Sequence, residues 1–330
     1  MEALVAAANR RRVSTDPIYA PLTPPPPGED DTTIELFSTV GAVVSTSLHE
    51  PDSVPAYWGT RVEHTIHIYP SEQATVSQIH ATLEAATVAA RLHDLRLRAR
   101  LADAGSQMPP DNDRRIVLST PYLDMDLTGA AFQTGFRIKS ASAWQRVSKL
   151  QQIARHRVGG CGSGLPQGWQ LRALTEADED AVVAAITALN DVDADCMNPR
   201  PVRPQEEETT RIYARIAIAA GPGWSTLATR EGDDDVALLA LYPPQQSEWA
   251  ATGLNLKAVG YLGLAYTPAQ WRGQGIMNQM LARSWDHAAA CGAENVVLDY
   301  AFHNPLSSRY WMASGFQPVR ALWVKAVTPE

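Results

Sequence analysis

Residues 257–292 read KAVGYLGLAYTPAQWRGQGIMNQMLARSWDHAAACG, and this order of residue types predicts a strand, a glycine-rich turn and a helix. Lys257–Tyr266 are apolar and aromatic, which is typical of a buried strand. RGQG follows at 272–275, and apolar residues then recur at helical spacing from Ile276 to Ala290. Gly292 stands where helices commonly end on glycine. The stretch therefore predicts an α/β unit in which a strand leads through a turn into a helix.

The turn at 272–275 is suited to binding an anion. The first N–H groups of a helix have no partner within the helix, and the aligned peptide dipoles give them a partial positive charge. Glycine lets the backbone take a positive φ and approach a phosphate closely. The turn matches neither GxGxxG nor GxxxxGK[ST], so it is not a Rossmann or a Walker loop. A tight turn with no ligand stays open as the alternative.

Length and composition limit what the protein can be. At roughly 150 residues per domain, 330 residues predict two domains. The net charge of −8 disfavours general nucleic-acid binding, because counterion release needs a basic surface. No run of 18 apolar residues occurs, so no membrane span is expected. The opening MEALVAAANRRR places its apolar run before its basic cluster, the reverse of a secretory signal, and we expect a cytoplasmic protein.

Two segments repeat each other at a spacing of 180 residues. IVLSTPYLDMDLTGAAFQTGF begins at 116, and VVLDYAFHNPLSSRYWMASGF begins at 296. The shift places Asp124 on Asn304 and Gly135 on Gly315. Each segment predicts a strand, a short helix, a terminating glycine and an aromatic residue.

Two weaker matches run in the same order. YPSEQATVSQI at 69–79 aligns with YTPAQWRGQGI at 266–276, and EALVAA at 2 aligns with DAVVAA at 180. A tandem duplication explains all three matches. We therefore divide the chain into a unit at 1–147, a Gly/Ser-rich linker at 148–168 and a unit at 169–330.

The N-terminal unit is shorter at its start. Trp169–Leu174 predict a strand ahead of the first helix of the C-terminal unit, whereas the N-terminal unit begins at the corresponding helix. Either this copy has lost the strand, or the start codon has been placed too far downstream.

Two motifs in the C-terminal unit resemble those of one enzyme family. PAQWRGQGIMNQML, at 268–281, resembles motif A of the GNAT (Gcn5-related) acyltransferases, R/Q-x-x-G-x-G/A. The formula fits from Gln270 or from Arg272, and we prefer Arg272, although that register ends on Met277 rather than a small residue. NPLSSRYWMASGF, at 304–316, resembles motif B, N-x-x-A-x-x-x-Y-x-x-x-G-F. The resemblance covers about 165–330 directly, and the rest through the repeat.

The resemblance implies a fold and an acyl donor. The fold is α/β (α+β), with two tandem GNAT units, each a mixed and mostly antiparallel sheet flanked by helices. The donor is acetyl-CoA, whose pyrophosphate the motif A amides hold, and no metal is implied. The end of the strand before motif A would pair with pantetheine and polarise the thioester carbonyl. The implied cofactor-binding residues are Leu264, Ala265, Tyr266, Arg272, Gly273, Gln274, Gly275, Ile276, Met277, Asn304 and Trp311.

The catalytic residues are harder to assign. The family often has a tyrosine seven residues after the motif B asparagine, as the acid for the leaving thiolate, but Trp311 stands there. Tyr310 is the candidate substitute, and water is the alternative because a thiolate is a good leaving group. Asp299 and His303 are the candidate bases for the attacking amine.

An acidic segment is the candidate acceptor site. Residues 190–204 are interpreted as a loop after the first helix of the C-terminal unit. Asp191, Asp193 and Asp195 on it could attract a cationic amine, and a solvated acidic loop is the alternative. The glycine and glutamate of an EF-hand are absent at their spacing, and Cys161, Cys196 and Cys291 are far apart without a CxxC, so no metal site is predicted.

The two units are expected to differ in function. TVSQ at 75–78 was matched to RGQG, and both glycines are replaced there. We therefore expect the N-terminal unit to bind no CoA and to help shape the acceptor site. This tandem plan is similar to that of the mycothiol synthases, whose C-terminal unit is the active one, but their substrate is not carried over.

The implied function is acetyl-CoA-dependent N-acetylation. The acceptor would be a small-molecule or peptide amine that attacks the thioester directly in a ternary complex. Two alternatives stay open: a non-catalytic binding or regulatory module that responds to acyl-CoA, and a transferase that uses a longer acyl-CoA.

Overall fold

The computed structural model describes residues 1–24, 28, 30–51, 53, 56–57, 60–160, 164–196, 206–233 and 235–328, with the backbone alone at 160, 195 and 196. The helices are α1 (Glu2–Thr15), α2 (Val76–Asp103), α3 (Met125–Gln133), α4 (Val147–Gly160), α5 (Glu179–Cys196), α6 (Glu206–Ala219), α7 (Ile276–Ala290) and α8 (Pro305–Ala313). The strands are β1 (Thr32–Phe37), β2 (Val40–Leu48), β3 (Val62–Pro70), β4 (Arg114–Pro121), β5 (Arg137–Arg146), β6 (Trp169–Ala173), β7 (Ser225–Arg230), β8 (Ala237–Tyr242), β9 (Val259–Tyr266), β10 (Asn295–Ala301) and β11 (Gln317–Ala326). Among the described helices, none is both long and apolar enough to cross a membrane.

All eleven strands belong to one sheet. Their order is β1-β2-β3-β4-β11-β5-β10-β9-β8-β7-β6. Neighbouring strands are antiparallel except for the pairs β3–β4 and β9–β10. The predicted α/β class with a mixed, mostly antiparallel sheet is confirmed. The expectation of one sheet for each unit is wrong, because the last strands of the two units are exchanged.

The exchange places each last strand in the other half of the molecule. β11 lies between β4 and β5, and β5 lies between β11 and β10. β5 pairs with β10 from Arg146↔Asn295 to Ser140↔Ala301, and β11 pairs with β4 along most of its length. Every buried backbone N–H and C=O needs a partner. The two halves therefore complete each other's hydrogen-bond ladders.

The exchanged strands also complete the hydrophobic cores. Trp323 of β11 is wholly buried in the N-terminal core, and its indole N–H donates to Thr120 Oγ1 at 2.9 Å. In return, Ala143 of β5 and Leu150 of α4 are buried in the C-terminal core. Burying a large apolar side chain contributes about 1.5–3 kcal/mol. Each core therefore depends on side chains supplied by the other half.

The structure keeps the 180-residue spacing of the repeat. Asp124 caps α3 by accepting from the N–H of Leu127 at 3.1 Å, and Asn304 caps α8 by accepting from the N–H of Leu306 at 2.9 Å. Gly135 and Gly315 follow these helices with φ of +83° and +90°, in the left-handed region that favours glycine. The strands β5 and β11 begin at equivalent positions, 137 and 317.

The predicted linker at 148–168 begins as a helix. α4 covers residues 147–160 and packs on α7, where Gln151 Nε2 donates to Asp286 Oδ1 at 2.7 Å. Residues 161–163 lie outside the described residues. The division of the chain at this segment stays a prediction about sequence units, because in space the strands of the two units alternate at the centre of the sheet.

The two ends of the sheet differ as the sequence indicates. β6 (Trp169–Ala173) is the predicted strand ahead of the first C-terminal helix, and it forms one edge of the sheet. Among the described residues, the N-terminal half contributes β1–β5 and has no counterpart of β6, so β1 forms the other edge.

We expect neither half to fold alone. Co-expressed fragments 1–164 and 165–330 should purify together at a 1:1 ratio through a tag on one of them, because each supplies a central strand to the other. Each fragment expressed alone should be insoluble or lack a cooperative thermal transition by circular dichroism. A sharp transition for soluble fragment 165–330 alone would show that the exchanged strand is dispensable.

Candidate functional site

The parallel strands β9 and β10 separate halfway along their length. They pair from Val259↔Asn295 to Leu262↔Leu298. Beyond that point, among the described strands, β9 pairs only with β8 and β10 only with β5. A register shift between β8 and β9 leaves Gly263 unmatched, which is a β-bulge one residue before the predicted Leu264. The result is a wedge-shaped opening edged by backbone groups without a strand partner.

The N-terminus of α7 lies at this opening. Gly273 and Gly275 both have φ of +78°, and a Cβ on either would meet no atom within 4 Å. Gly275 is the N-cap residue, and no described side chain caps the helix. Within the described part of the chain the first amides of α7 therefore have no capping side chain, which is the condition for holding an anion there.

A cavity of about 560 Å³ fills the space between α5, α7, α8 and the end of β9. Leu264 is buried behind its wall. The predicted cofactor-binding residues that line the cavity are Ala265, Tyr266, Arg272, Gly273, Gln274, Gly275, Ile276, Met277, Asn304 and Trp311. Further wall residues that were not predicted are Leu189, Val192, Thr267, Trp271, Asn278, Leu306 and Ser307. Nothing in the local sequence marks Leu189 and Val192 as wall residues, because only the packing of α5 brings them to the opening.

Asn304 connects α8 to α5. Its Oδ1 caps α8, and its Nδ2 donates to Asp193 Oδ1 at 2.7 Å. Burial raises the pKa of Asp193, and the bond from Asn304 opposes that rise. The prediction of a loop from residue 190 is wrong, because α5 continues to Cys196 and carries Asp191 and Asp193. Asp191 is exposed, and the side chain of Asp195 and residues 197–205 lie outside the described part of the chain.

Two aromatic residues of α8 form a wall of the cavity. Tyr310 donates its hydroxyl proton to Asn278 Oδ1 at 2.7 Å, and burial raises its pKa. Trp311 is buried and packs edge-on against Phe316, with ring centroids 5.7 Å apart. Trp311 therefore serves as wall and core, and Tyr310 presents a hydroxyl that is already bonded.

The two candidate bases lie in different places. Asp299 is exposed, and it is the first residue of β10 beyond the point where β9 and β10 separate. Its Oδ2 accepts from the hydroxyl of Tyr261 at 3.1 Å, and its Oδ1 accepts from the hydroxyl of Ser142 at 2.5 Å. His303 is exposed, contacts the edge of Phe302 and does not line the cavity. Asp299 therefore lies on β10 where the two strands separate, and neither Asp299 nor His303 lines the cavity.

The N-terminal half has the same opening, but it is closed. β3 and β4 pair only as far as Ile66↔Leu118. Arg11 of α1 spans the space beyond: its guanidinium donates to both oxygens of Asp124, at 2.8 and 2.9 Å, and to the carbonyl of Ser71 at 3.2 Å. A largely buried, bidentate Arg–carboxylate pair is a strong interaction. Arg11 therefore occupies the region that is a cavity in the C-terminal half.

The start of α2 is capped, unlike that of α7. Thr75 Oγ1 accepts from the N–H of Gln78 at 3.3 Å, and Gln78 Oε1 accepts from the N–H of Thr75 at 2.9 Å. This capping box satisfies two of the amides at the start of the helix, those of Thr75 and Gln78, which are then not free for an anion. Because Thr75 and Gly275 are the two N-cap residues, the match of RGQG to 75–78 is wrong by three positions. The turn that leads into the helix is therefore three residues longer in the C-terminal half.

Comparisons with known proteins bear on the fold. No family model and no curated protein matches the sequence. A GCN5-related N-acetyltransferase from Sphaerobacter thermophilus superposes with a TM-score of 0.52 at 12% identity, covering 90% of this chain and 83% of that one. A tandem GNAT protein from the clavulanic acid biosynthesis pathway gives 0.46 at 13% identity, covering 99% and 88%. A GCN5-related N-acetyltransferase from Kribbella flavida gives 0.42 at 13% identity, covering 87% and 86%.

The chain has the fold of the Sphaerobacter N-acetyltransferase, which agrees with the resemblance of its two motifs to those of the GNAT family. The superposition on the Sphaerobacter protein carries this assignment, because it extends over nine-tenths of the chain. At 12% identity it shows the fold alone.

The contact between Asn304 and Asp193 yields a stability prediction. Asn304→Ala should lower the free energy of unfolding at pH 7 by about 2–4 kcal/mol: about 1 for the lost cap, and about 1–3 for a buried carboxylate left without its donor. The loss should shrink progressively as the pH is lowered below neutral, because burial raises the pKa of Asp193 and protonation removes its charge.

Urea unfolding measures this loss. Asn304→Ser is the matched control, since serine keeps a cap and should lose less. A serine variant as stable as wild type would mean that the bond to Asp193 contributes nothing, and an alanine variant as stable as the serine variant would mean that the cap contributes nothing.

Proposed function

We propose that this chain is an acetyl-CoA-dependent N-acetyltransferase that transfers the acetyl group directly to a small-molecule or peptide amine. The observation that carries the proposal is the uncapped N-terminus of α7 at the mouth of the opening between β9 and β10. An anion-binding terminus beside unpaired strand backbone suits a long ligand with a phosphate group at one end and an amide chain at the other.

The residues present fit acetyl-CoA. The amides from Arg272 to Met277 would hold the pyrophosphate, with the guanidinium of Arg272 nearby to balance its charge. The backbone of residues 264–266 would pair with the pantetheine amides, and Asn304 and Trp311 would form the facing wall. A volume of about 560 Å³ is ordinary for a small-ligand site, which spans roughly 300–1,000 Å³.

The protein's own groups supply two kinds of catalysis. A backbone N–H near the bulge at Gly263 can stabilise the negative charge that develops on the thioester oxygen. Asp299 can accept the proton that the amine loses. The amine nitrogen bonds to the carbonyl carbon, the carbon–sulfur bond breaks, the amine proton passes to Asp299, and the sulfur leaves as a thiolate that takes up a proton.

Tyr310 is our candidate donor for that last proton, with solvent as the other source. Its hydroxyl is on the cavity wall, but it already donates to Asn278, and burial raises its pKa further above that of a thiol, near 8.5. Proton transfer from Tyr310 to the thiolate is therefore thermodynamically unfavourable, which favours solvent as the proton donor. His303 is the weaker candidate for the base, because it follows the end of β10, whereas Asp299 lies on β10 where β9 and β10 separate.

The acidic residues of α5 are proposed to favour a cationic acceptor. Asp191 is exposed and adds negative charge beside the opening. Asp193 is already bonded to Asn304, so its part is to hold the wall. A contribution from Asp195 also remains a proposal.

The N-terminal half is proposed to bind no acetyl-CoA. Arg11 bridges Asp124 and Ser71 across its opening, and the capping box satisfies the amides of Thr75 and Gln78. Binding there would require breaking a largely buried ion pair.

Gly275→Trp should remove acetyl-CoA binding. The indole would enter the cavity and displace the pyrophosphate from at least two amides. Hydrogen bonds to charged groups contribute about 1.5–3 kcal/mol each, so the Kd should rise at least about 100-fold by isothermal calorimetry.

Gly292→Trp is the matched control. Gly292 ends the same helix with φ of +82° and also has no atom within 4 Å of a Cβ, so the backbone strain is alike but the cavity is untouched. Equal loss in both variants would point to unfolding rather than obstruction, and unchanged binding by Gly275→Trp would refute the proposed cofactor site.

Turnover is then tested by thiol release from acetyl-CoA with glucosamine, an aminoglycoside, tyramine, spermidine and short peptides. Wild-type protein that binds acetyl-CoA but releases no thiol with any of them would favour a non-catalytic, acyl-CoA-responsive module. Thiol release only from longer acyl-CoAs would mean that the acyl donor is a longer acyl-CoA and not acetyl-CoA.

A further inference from the structure

Asp299 is held by a residue from the other half of the chain. Ser142 lies on β5 directly opposite Asp299 in the antiparallel β5–β10 pair. Its hydroxyl donates to Asp299 Oδ1 at 2.5 Å, and the hydroxyl of Tyr261 on β9 donates to Oδ2 at 3.1 Å. Each oxygen of the carboxylate thus receives one donor, and the two donors come from the strands on either side of β10.

The exchange of strands is what creates this contact. Ser142 precedes α4 and belongs to the N-terminal sequence unit, whereas Tyr261 and Asp299 belong to the C-terminal unit. If each unit kept its own last strand, β11 would border β10, and the residue equivalent to Ser142 would be Leu322, which has no hydroxyl. The C-terminal unit therefore carries no donor of its own at this position.

The equivalent place in the N-terminal half lacks the whole arrangement. There Ser119 of β4, the equivalent of Asp299, lies opposite Leu322 of β11. By strand register, Thr65 of β3 stands where Tyr261 stands. The carboxylate and both of its donors are thus found only beside the opening that contains the cavity, and not beside the opening that Arg11 closes.

We propose that Ser142 is a positioning residue for Asp299, so that the active site is built from both halves of the chain; the proposal rests on the proposed function. Ser142 is largely buried, and Asp299 is exposed at the point where β9 and β10 separate. With one donor fixed on each oxygen, the carboxylate keeps one rotamer and directs its remaining lone pairs toward the opening.

Tyr261 is suited to the second donor position. Burial and the negative charge of Asp299 both raise its pKa well above the usual value for a tyrosine. The phenol therefore keeps its proton at neutral pH and remains a donor. Ser142 is the only contact to Asp299 described here that comes from the N-terminal unit, so its removal tests the cross-half contribution.

The experiment measures thiol release from acetyl-CoA, with the amine panel above and with water alone, in wild type, Ser142→Ala, Ser142→Thr, Asp299→Asn and the Ser142→Ala/Asp299→Asn double variant. Ser140→Ala, two residues earlier on β5, is the matched control. We expect Ser142→Ala to lower kcat about tenfold while the KM for acetyl-CoA stays within twofold. Ser142→Thr, which keeps a hydroxyl, should recover most of the rate, and Ser140→Ala should match wild type.

The double variant decides whether Ser142 acts through Asp299. Ser142→Ala should cost less than about twofold when Asp299 is already asparagine, because coupled residues are not additive. The proposal would be overturned if Ser142→Ala lowered kcat tenfold both with Asp299 and with asparagine at that position, or if it did not lower kcat when Asp299 is present. Either result would leave the transferase function standing.

Calorimetry with acetyl-CoA and thermal unfolding accompany each variant. Wild-type protein that does not bind acetyl-CoA, or that binds it and releases no thiol with any amine or water, would overturn the proposed function and this inference with it. A Ser142→Ala variant that is slow, and that Ser142→Thr does not restore, would assign Ser142 to packing instead.

Discussion

The exchange of β5 and β11 is the constraint on which the rest of the structure depends. Each last strand makes its ladder hydrogen bonds across the boundary between the sequence units, and each fills the core of the opposite half, as Trp323 and Ala143 show. Because unpaired strand backbone is costly to bury, neither half can withdraw its strand without exposing both cores. The duplication has thus become a single folding unit with one continuous sheet.

Within that unit, one local difference separates two nearly identical openings. In the N-terminal half the cap residue of the short helix is Asp124, and the facing helix α1 supplies Arg11, so a charged pair closes the space. In the C-terminal half the cap residue is the neutral Asn304, which bonds to Asp193 of α5 and leaves a cavity in front of α7. The N-termini of the two corresponding helices differ in the same way. α2 is capped by a capping box at Thr75, whereas α7 begins after Gly275, which has no side chain to cap it. The proposed division of labour between the halves therefore rests on a few polar side chains on a similar backbone.

The sequence predicted what depends on local pattern. The turn at 272–275 and the strand at Trp169 follow from residue type and spacing, and the fold follows from the two motifs and the repeat. Strand exchange could not be predicted, because β5 and β11 have equivalent patterns and fit either neighbour equally well by alternation. The helix at 147–160 was not predicted, because its last two residues are glycines and the segment was interpreted as a flexible linker. Arg11, Leu189 and Ser142 carry no local signal at all, since their roles arise from contacts with residues far away in the sequence.

The most direct test is a crystal structure of the full chain grown with acetyl-CoA. We expect one molecule of acetyl-CoA in each chain, with its pyrophosphate on the N-terminus of α7, its pantetheine between β9 and β10, and Arg11 still bonded to Asp124. Acetyl-CoA between β3 and β4, or its absence from the opening beside α7, would contradict the assignment of the two halves.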